Sequence, residues 1–345
     1  MKSGKTMIIL AFESSCDETA AAVVEMDEQS GTRKILSSLV ASQVAIHALY
    51  GGVVPEIASR AHTEAISNLA EGALAQAGIT VDQVDCVGVT AHPGLIGALL
   101  VGVNFAKAYA YANKKPLVAV DHILGHVAAA YLCHPKLKPP FFAMVTSGGH
   151  TSLLSFSDYT DVKTVGRTRD DAVGECFDKV ARTMGLPYPG GAEMDRLASL
   201  GNPKAVKFPS AAIRDESLDF SFSGLKTAVI NHLNTCRQKG EEICREDIAA
   251  SFTKAVTDSV VTRLHEAKDR YGFDKFVLAG GVCANSHLRK AILEFGKKRG
   301  VAIYFPDLSL CGDNAAMIGA QAYYEASAGN FADFSLNPSA THRGV

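Results

Sequence analysis

A chain of 345 residues, 47% of them hydrophobic and 20% charged, can bury two compact cores without cross-links. Its formal net charge of -2 excludes a global basic field, so any nucleic acid has to be gripped by local patches such as Lys297-Lys298-Arg299 or by a partner subunit. The eight cysteines are widely spaced with no Cys-x-x-Cys pair, which excludes that kind of zinc or redox motif and predicts free thiols in a reducing compartment.

The apolar run Met7 to Phe12 predicts a buried strand and is too short for a signal segment or a membrane span, so a cytoplasmic protein with no membrane association is expected. Glu13 to Thr19 reads as a polar turn and Ala20 to Val24 as the returning strand. That turn sets Asp17 and Glu18 among three hydroxyls, either as a solvated hairpin tip or as a ligand loop. Apolar spacing then predicts a helix over 61–77, a strand over 84–90, a loop at His92-Pro93-Gly94 and a small-residue helix from Leu95 onward. In the stretch Asp121 to Ala130, His122 and His126 project from one helical face about 5.4 Å apart. They suit one metal ion, or two histidines that only hydrogen-bond to backbone. Ile123 stands where a protease zinc helix carries its glutamate, so peptidase chemistry lacks its base.

The proline-containing stretch 134–140 cannot be helical and puts a boundary near position 138. Beyond it a strand over 141–146, the turn Ser147-Gly148-Gly149-His150 and a strand over 151–156 repeat the opening hairpin. Two related α/β lobes are therefore expected: 1–138, with the last helix and tail 312–345 packing back on it, and 139–311. Glycine turns recur at Pro189-Gly190-Gly191 and at Gly280-Gly281, the latter between a strand over 275–279 and a helix over 285–295. Each alone serves equally well as an ordinary structural turn. Together, with Asp178, Asp195 and Asn285 nearby, they suggest a nucleotide pocket where backbone amides meet an anion and an aspartate accepts from ribose hydroxyls. Phe222 to Thr227 reads as a helix entry capped by Ser223, with Lys226 as a surface cation. After a strand over 302–305, Asp313 is either the N-cap of a last helix running through Ala326 or a third metal ligand.

In this order, Glu13-Ser-Ser-Cys-Asp-Glu-Thr19, Gly51-Gly-Val-Val-Pro-Glu-Ile-Ala-Ser-Arg60, Pro93-Gly-Leu-Ile-Gly-Ala-Leu-Leu-Val-Gly102, His122-Ile-Leu-Gly-His126, Ser147-Gly-Gly-His-Thr151, Asp170-Asp-Ala-Val-Gly-Glu175, Phe222-Ser-Gly-Leu-Lys226 and Gly280-Gly-Val-Cys-Ala-Asn285 resemble the TsaD (Gcp/YgjD) family of tRNA threonylcarbamoyladenosine synthases. The resemblance spans nearly the whole chain. It implies the two-lobed actin-like ATPase fold shared with hexokinase, actin and acetate kinase, with a duplicated mixed-sheet core. It implies that His122, His126 and Asp313 bind one divalent ion, Fe2+ or Zn2+, since two imidazoles and a carboxylate suit both. It further implies that Val145, Thr146, Ser147, Gly148, Gly149, Asp178, Gly191, Asp195 and Asn285 hold an adenylate.

The implied reaction carries a threonylcarbamoyl group from threonylcarbamoyl-adenylate to the N6 amine of adenosine 37 in tRNAs that read codons beginning with A. The implied partners are tRNA, a paralogous TsaB-type subunit and a TsaE-type ATPase. Asp17 or Glu18 is our choice for the group that accepts the amine proton. A small-molecule kinase or ATPase of the same fold and a non-catalytic scaffold are the competing readings. The chain departs from the family pattern at His92, usually Gly, and at Ala192, usually Pro.

Overall fold

The structure, a computed structural model, describes residues 6–213 and 215–341. The chain forms two compact units, one of residues 1–139, 158–162 and 306–345 and the other of residues 140–157 and 163–305.

In the first unit Met7–Glu13 (β1), Glu18–Asp27 (β2), Thr32–Ser42 (β3), Cys86–His92 (β4) and Leu117–Asp121 (β5) form one sheet in the order β3-β2-β1-β4-β5. β2 runs antiparallel to β1 and β3, while β4 and β5 run parallel to β1. The central strands are buried on both faces, so they read as unbroken apolar runs, as expected of strands covered by helices on two sides. Between them lie helices Val44–Ala48 (α1), Pro55–Ala77 (α2), Ile96–Ala112 (α3) and His122–Cys133 (α4). α2 begins at Pro55, ahead of the expected residue 61, because a proline at the first helical position has no N–H to leave unsatisfied. Leu10, Phe12, Ile66 and Val103 belong to one core shared by β1, α2 and α3.

In the second unit Phe141–Thr146 (β6), Thr151–Phe156 (β7), Val162–Arg167 (β8), Lys275–Ala279 (β9) and Ala302–Tyr304 (β10) form a sheet in the order β10-β9-β6-β7-β8. β7 is antiparallel to β6, and β9 is parallel to it. Strand for strand this repeats the first sheet. Its helices are Val173–Thr183 (α5), Gly191–Ala198 (α6), Ser223–Lys239 (α7), Arg245–Tyr271 (α8) and Ser286–Arg299 (α9).

The last helix, Ala315–Ala328 (α10), packs on β1, β2 and α4 in the first unit. Residues 158–162 and 306–311 also join that unit, whereas the sequence grouped them with the second. The Tyr159 ring stacks on Tyr324 at 3.7 Å, and the Asp307 amide donates to Cys133 Sγ at 3.3 Å. Residues 342–345 of the expected C-terminal segment lie outside the described residues. No helix among the described residues is long and apolar enough to cross a membrane.

Candidate functional site

The end of β1 delivers Glu13 to the interior of the first unit, fully buried. A buried carboxylate needs several donors, and Glu13 has them: the Ser15 amide and the Thr90 hydroxyl at 2.6 Å, with His122 Nδ1 at 2.9 Å. The loop after β4 closes over the same turn. The Leu95 amide donates to Ser15 O at 2.8 Å, and Gly94 lies so close that a β-carbon there would come within 2.6 Å of that oxygen.

His122 opens α4, whose N-cap is Asp121, accepting from the amides of Ile123 at 2.7 Å and Leu124 at 3.2 Å. One turn on is His126, its ring centroid 4.6 Å from that of His122. Asp313 Oδ1 lies 3.6 Å from His122 Nε2 and 3.3 Å from His126 Nε2. One donor atom from each of the three residues falls within 4.8 Å of the others. Two donors bound ~2.1 Å from one ion in a tetrahedral site stand ~3.4 Å apart, which the 3.3 and 3.6 Å spacings of Asp313 from the two imidazoles match. Asp313 is not the cap of α10, because Asn314 takes that role and accepts from the Met317 amide at 2.9 Å.

The donor set fits a cation on two observations. Among the described residues neither ring nitrogen of the buried His126 has a hydrogen-bond partner, a costly arrangement that coordination relieves. Glu13 receives the proton on His122 Nδ1, which leaves Nε2 facing Asp313, the carboxylate–histidine arrangement that orients a metal ligand. Burial opposes charge on His122, yet the Glu13 and Asp313 carboxylates outweigh it and hold the imidazole at about 9. Burial likewise opposes ionisation of Glu13, but the His122 charge and the hydrogen bonds from His122 and Thr90 keep it below the ordinary carboxylate value. Sequence pattern assigns Glu13 no role of its own; the signal is a carboxylate ending a wholly apolar strand.

Asp17 and Glu18 follow at the mouth of β2. Burial first, then the charges of Asp313 and Asp17, push Glu18 up to about 9, and its carboxyl accepts from the Ser42 hydroxyl at 3.2 Å. His62 of α2 clamps this turn by donating to Cys16 O at 3.0 Å and meeting the Thr19 hydroxyl at 2.7 Å. His92 takes no part in the cluster. Its Nε2 stands 3.5 Å from Asp121 Oδ2, beside the cap of α4.

In the second unit Gly280 approaches the end of β6, Asp178 ties the Gly190-Gly191 turn to α5, and Asp195 ties α6 to the start of α9. Val145 and Thr146 end β6, buried, and Ser147 Oγ accepts from the His150 amide at 3.1 Å, leaving Gly148 and Gly149 exposed. Gly280, at φ 90°, would put a β-carbon 2.5 Å from Thr146 O, so only glycine fits there. Asp178 accepts from the Gly190 amide at 2.7 Å and shapes the turn before Gly191. Asp195 accepts from the Ser286 amide at 3.1 Å and from His287 Nδ1 at 2.8 Å. Asn285 caps α9 by accepting from Leu288 N at 2.9 Å. The two aspartates expected to accept from ribose hydroxyls thus also serve protein groups. Ala192 is exposed in the first turn of α6, where proline is equally well tolerated.

Asp170, not Ser223, caps α7 from outside the helix, accepting from Phe222 N at 2.8 Å and Ser223 N at 3.1 Å. Lys226 is no free surface cation, because its ammonium pairs with Asp171.

The sequence model of the TsaD family, tRNA N6-adenosine threonylcarbamoyltransferase, matches residues 34–320. The chain belongs to this family. The tRNA N6-adenosine threonylcarbamoyltransferase of Clostridium beijerinckii is 52% identical over 330 residues, covering 96% of each chain. The family's members are acyltransferases by name, and this chain is accordingly a transferase of that class. Among solved structures, component A of the (R)-2-hydroxyglutaryl-CoA dehydratase of Acidaminococcus fermentans is similar at TM-score 0.53 and 14% identity, over 93% of this chain and 99% of that one. The ROK hexokinase of Thermus thermophilus is similar at TM-score 0.51 and 14% identity, over 93% of this chain and 100% of that one. At such identities the likeness establishes the fold: an actin-like ATPase fold with a duplicated mixed sheet.

Proposed function

We propose that the chain is the catalytic subunit that moves threonylcarbamoyl from threonylcarbamoyl-adenylate to the N6 amine of adenosine 37 in tRNA, with AMP leaving. The convergence of His122, His126 and Asp313 is the observation that carries this reading. These three side chains hold one divalent ion, Fe2+ by preference with Zn2+ as the other ion such donors suit. When bound, the ion supplies a Lewis acid that polarises a carbonyl and orients the group attached to it.

The remaining work falls to the protein. The amine is a poor nucleophile because its lone pair is delocalised into the ring, so the rate has to come from positioning and from stabilising charge on the carbonyl oxygen. The N–C bond forms, the bond from carbonyl carbon to phosphate oxygen breaks, and the electron pair leaves with AMP. Asp17 or Glu18 accepts the amine proton. Burial, then the charges of Asp313 and Asp17, raise Glu18, so its carboxyl holds a proton more firmly than an ordinary one. In the second unit the turn Ser147-Gly148-Gly149 and Gly191 present backbone amides to the adenylate, with Val145, Thr146, Asp178, Asp195 and Asn285 shaping that pocket. A paralogous TsaB-type subunit, a TsaE-type ATPase and a cytoplasmic setting complete the proposal.

The test is to incubate the protein and its proposed partners with unmodified tRNA and threonylcarbamoyl-adenylate and to analyse the nucleosides by mass. One threonylcarbamoyladenosine per AMP released is expected. No new nucleoside overturns the reading, and ATP consumption with a hydroxyl acceptor and no tRNA favours a kinase instead.

A further inference from the structure

Beside Asp313 the first unit holds an open cavity of about 520 Å3, within the size range of small-molecule sites. One wall is the edge strand β3, with Ile35, Ser38, Val40 and Ser42; another is the loop leading into α10, with Leu310 and Asp313. Glu18 lies on the same surface. β3 faces the cavity with these four residues because of a bulge. Val23 pairs with Ser37 and Val24 with Ile35, so the extra residue Leu36 turns Ile35 onto the face that carries Ser38, Val40 and Ser42. Ile35 is left 39% exposed and Val40 46%, an apolar patch on an edge strand where charge is the usual protection.

We propose that this cavity is the subsite for the acceptor nucleobase, an adenine turned out of its stack toward the metal-ligand cluster. The inference rests on the transferase reading above and deepens it. Two features of the cavity select this occupant. Its apolar side chains offer flat contact to a base, and the hydroxyls of Ser38 and Ser42 can both donate to and accept from a base edge. It also includes Asp313, so a base seated there brings its exocyclic amine to the cluster that orients the acyl group. Enzymes acting on a base within a folded nucleic acid need such a pocket, because the reacting atom is otherwise stacked out of reach.

Val40→Trp fills the cavity from an exposed position on an edge strand. With wild-type enzyme and the same partners as reference, single-turnover transfer to tRNA should fall at least ~10-fold, as loss of a base contact does. AMP affinity, metal content and thermal midpoint should stay at wild-type values. Ser42→Ala, a milder change, should raise the tRNA concentration at half-maximal rate severalfold with the same three controls unmoved. Transfer by both variants at the wild-type rate overturns the proposal. Loss of AMP affinity in parallel with transfer also overturns it, since the cavity would then hold the donor. Failure of the wild type itself to make the modified nucleoside is a different result, which removes the transferase reading.

Discussion

The β1–β2 turn of the first unit and the β6–β7 turn of the second hold the same station in equivalent sheets. Each joins a buried strand to its antiparallel neighbour, and each central strand has a parallel strand on its other side. Their contents are opposite. The first turn packs Glu13 against the His122 imidazole and carries the carboxyls of Asp17 and Glu18, and the second offers the exposed Gly148 and Gly149. One backbone arrangement is thus suited to a cation in one unit and to an anion in the other. The difference lies in which groups the turn brings forward, carboxylates or N–H dipoles.

Four substitutions can break or sharpen this contrast. His126→Ala removes a donor that lacks a hydrogen bond among the described residues, and metal content should fall to near zero with transfer reduced at least ~100-fold, beyond the loss typical of an outer-shell partner. AMP affinity should be untouched; a parallel drop would mean the two chemistries are not separate. Glu13→Gln keeps the shape but gives up the charge that holds His122, and metal affinity should weaken by ~10–100-fold in a chelator competition. The same variant tests the pH dependence of the metal-free protein. The folded value of His122, about 9, lies above its ordinary 6.5, so the pair's stabilisation is complete below 6.5 and is lost as pH rises through 9. Thermal melts of Glu13→Gln should lack that alkaline loss.

Gly280→Ala should destabilise the second unit by about 1–3 kcal/mol and weaken AMP binding, since alanine there meets both a positive φ and Thr146 O. Denaturant titration reads the first effect, and an unchanged metal content keeps the units distinct. The smallest effect is expected from Glu18→Gln. Between an ordinary 4.5 and about 9 the folded metal-free protein keeps a proton that the unfolded chain releases, so Glu18 costs stability as pH rises. The variant should melt ~2–4 °C above wild type at pH 8, with the gap closing below pH 4.5.

Much of this was legible before any coordinates. The strands over 141–146, 151–156 and 275–279 stand at the expected residues because buried strands are continuous apolar runs bounded by glycine or polar turns. β3 and β8 leave no clear pattern in the sequence because edge strands carry mixed, half-exposed residues, and in β3 a bulge also breaks the alternation. Local spacing put His122 and His126 on one face of a helix, but it left Asp313 undecided between cap and ligand until Asn314 was seen to do the capping.

By itself the sequence determined the α/β class, the repeated hairpin, the histidine pair and the glycine turns, all of which follow from periodicity and backbone conformational preference within a few neighbouring residues. Tertiary structure alone decided that Asp313 comes within 3.3 Å of His126, that Glu13 holds His122, and that Asp195 is tied to α9. Those contacts join residues remote along the chain. Their energies depend on burial and on partners that no local pattern records.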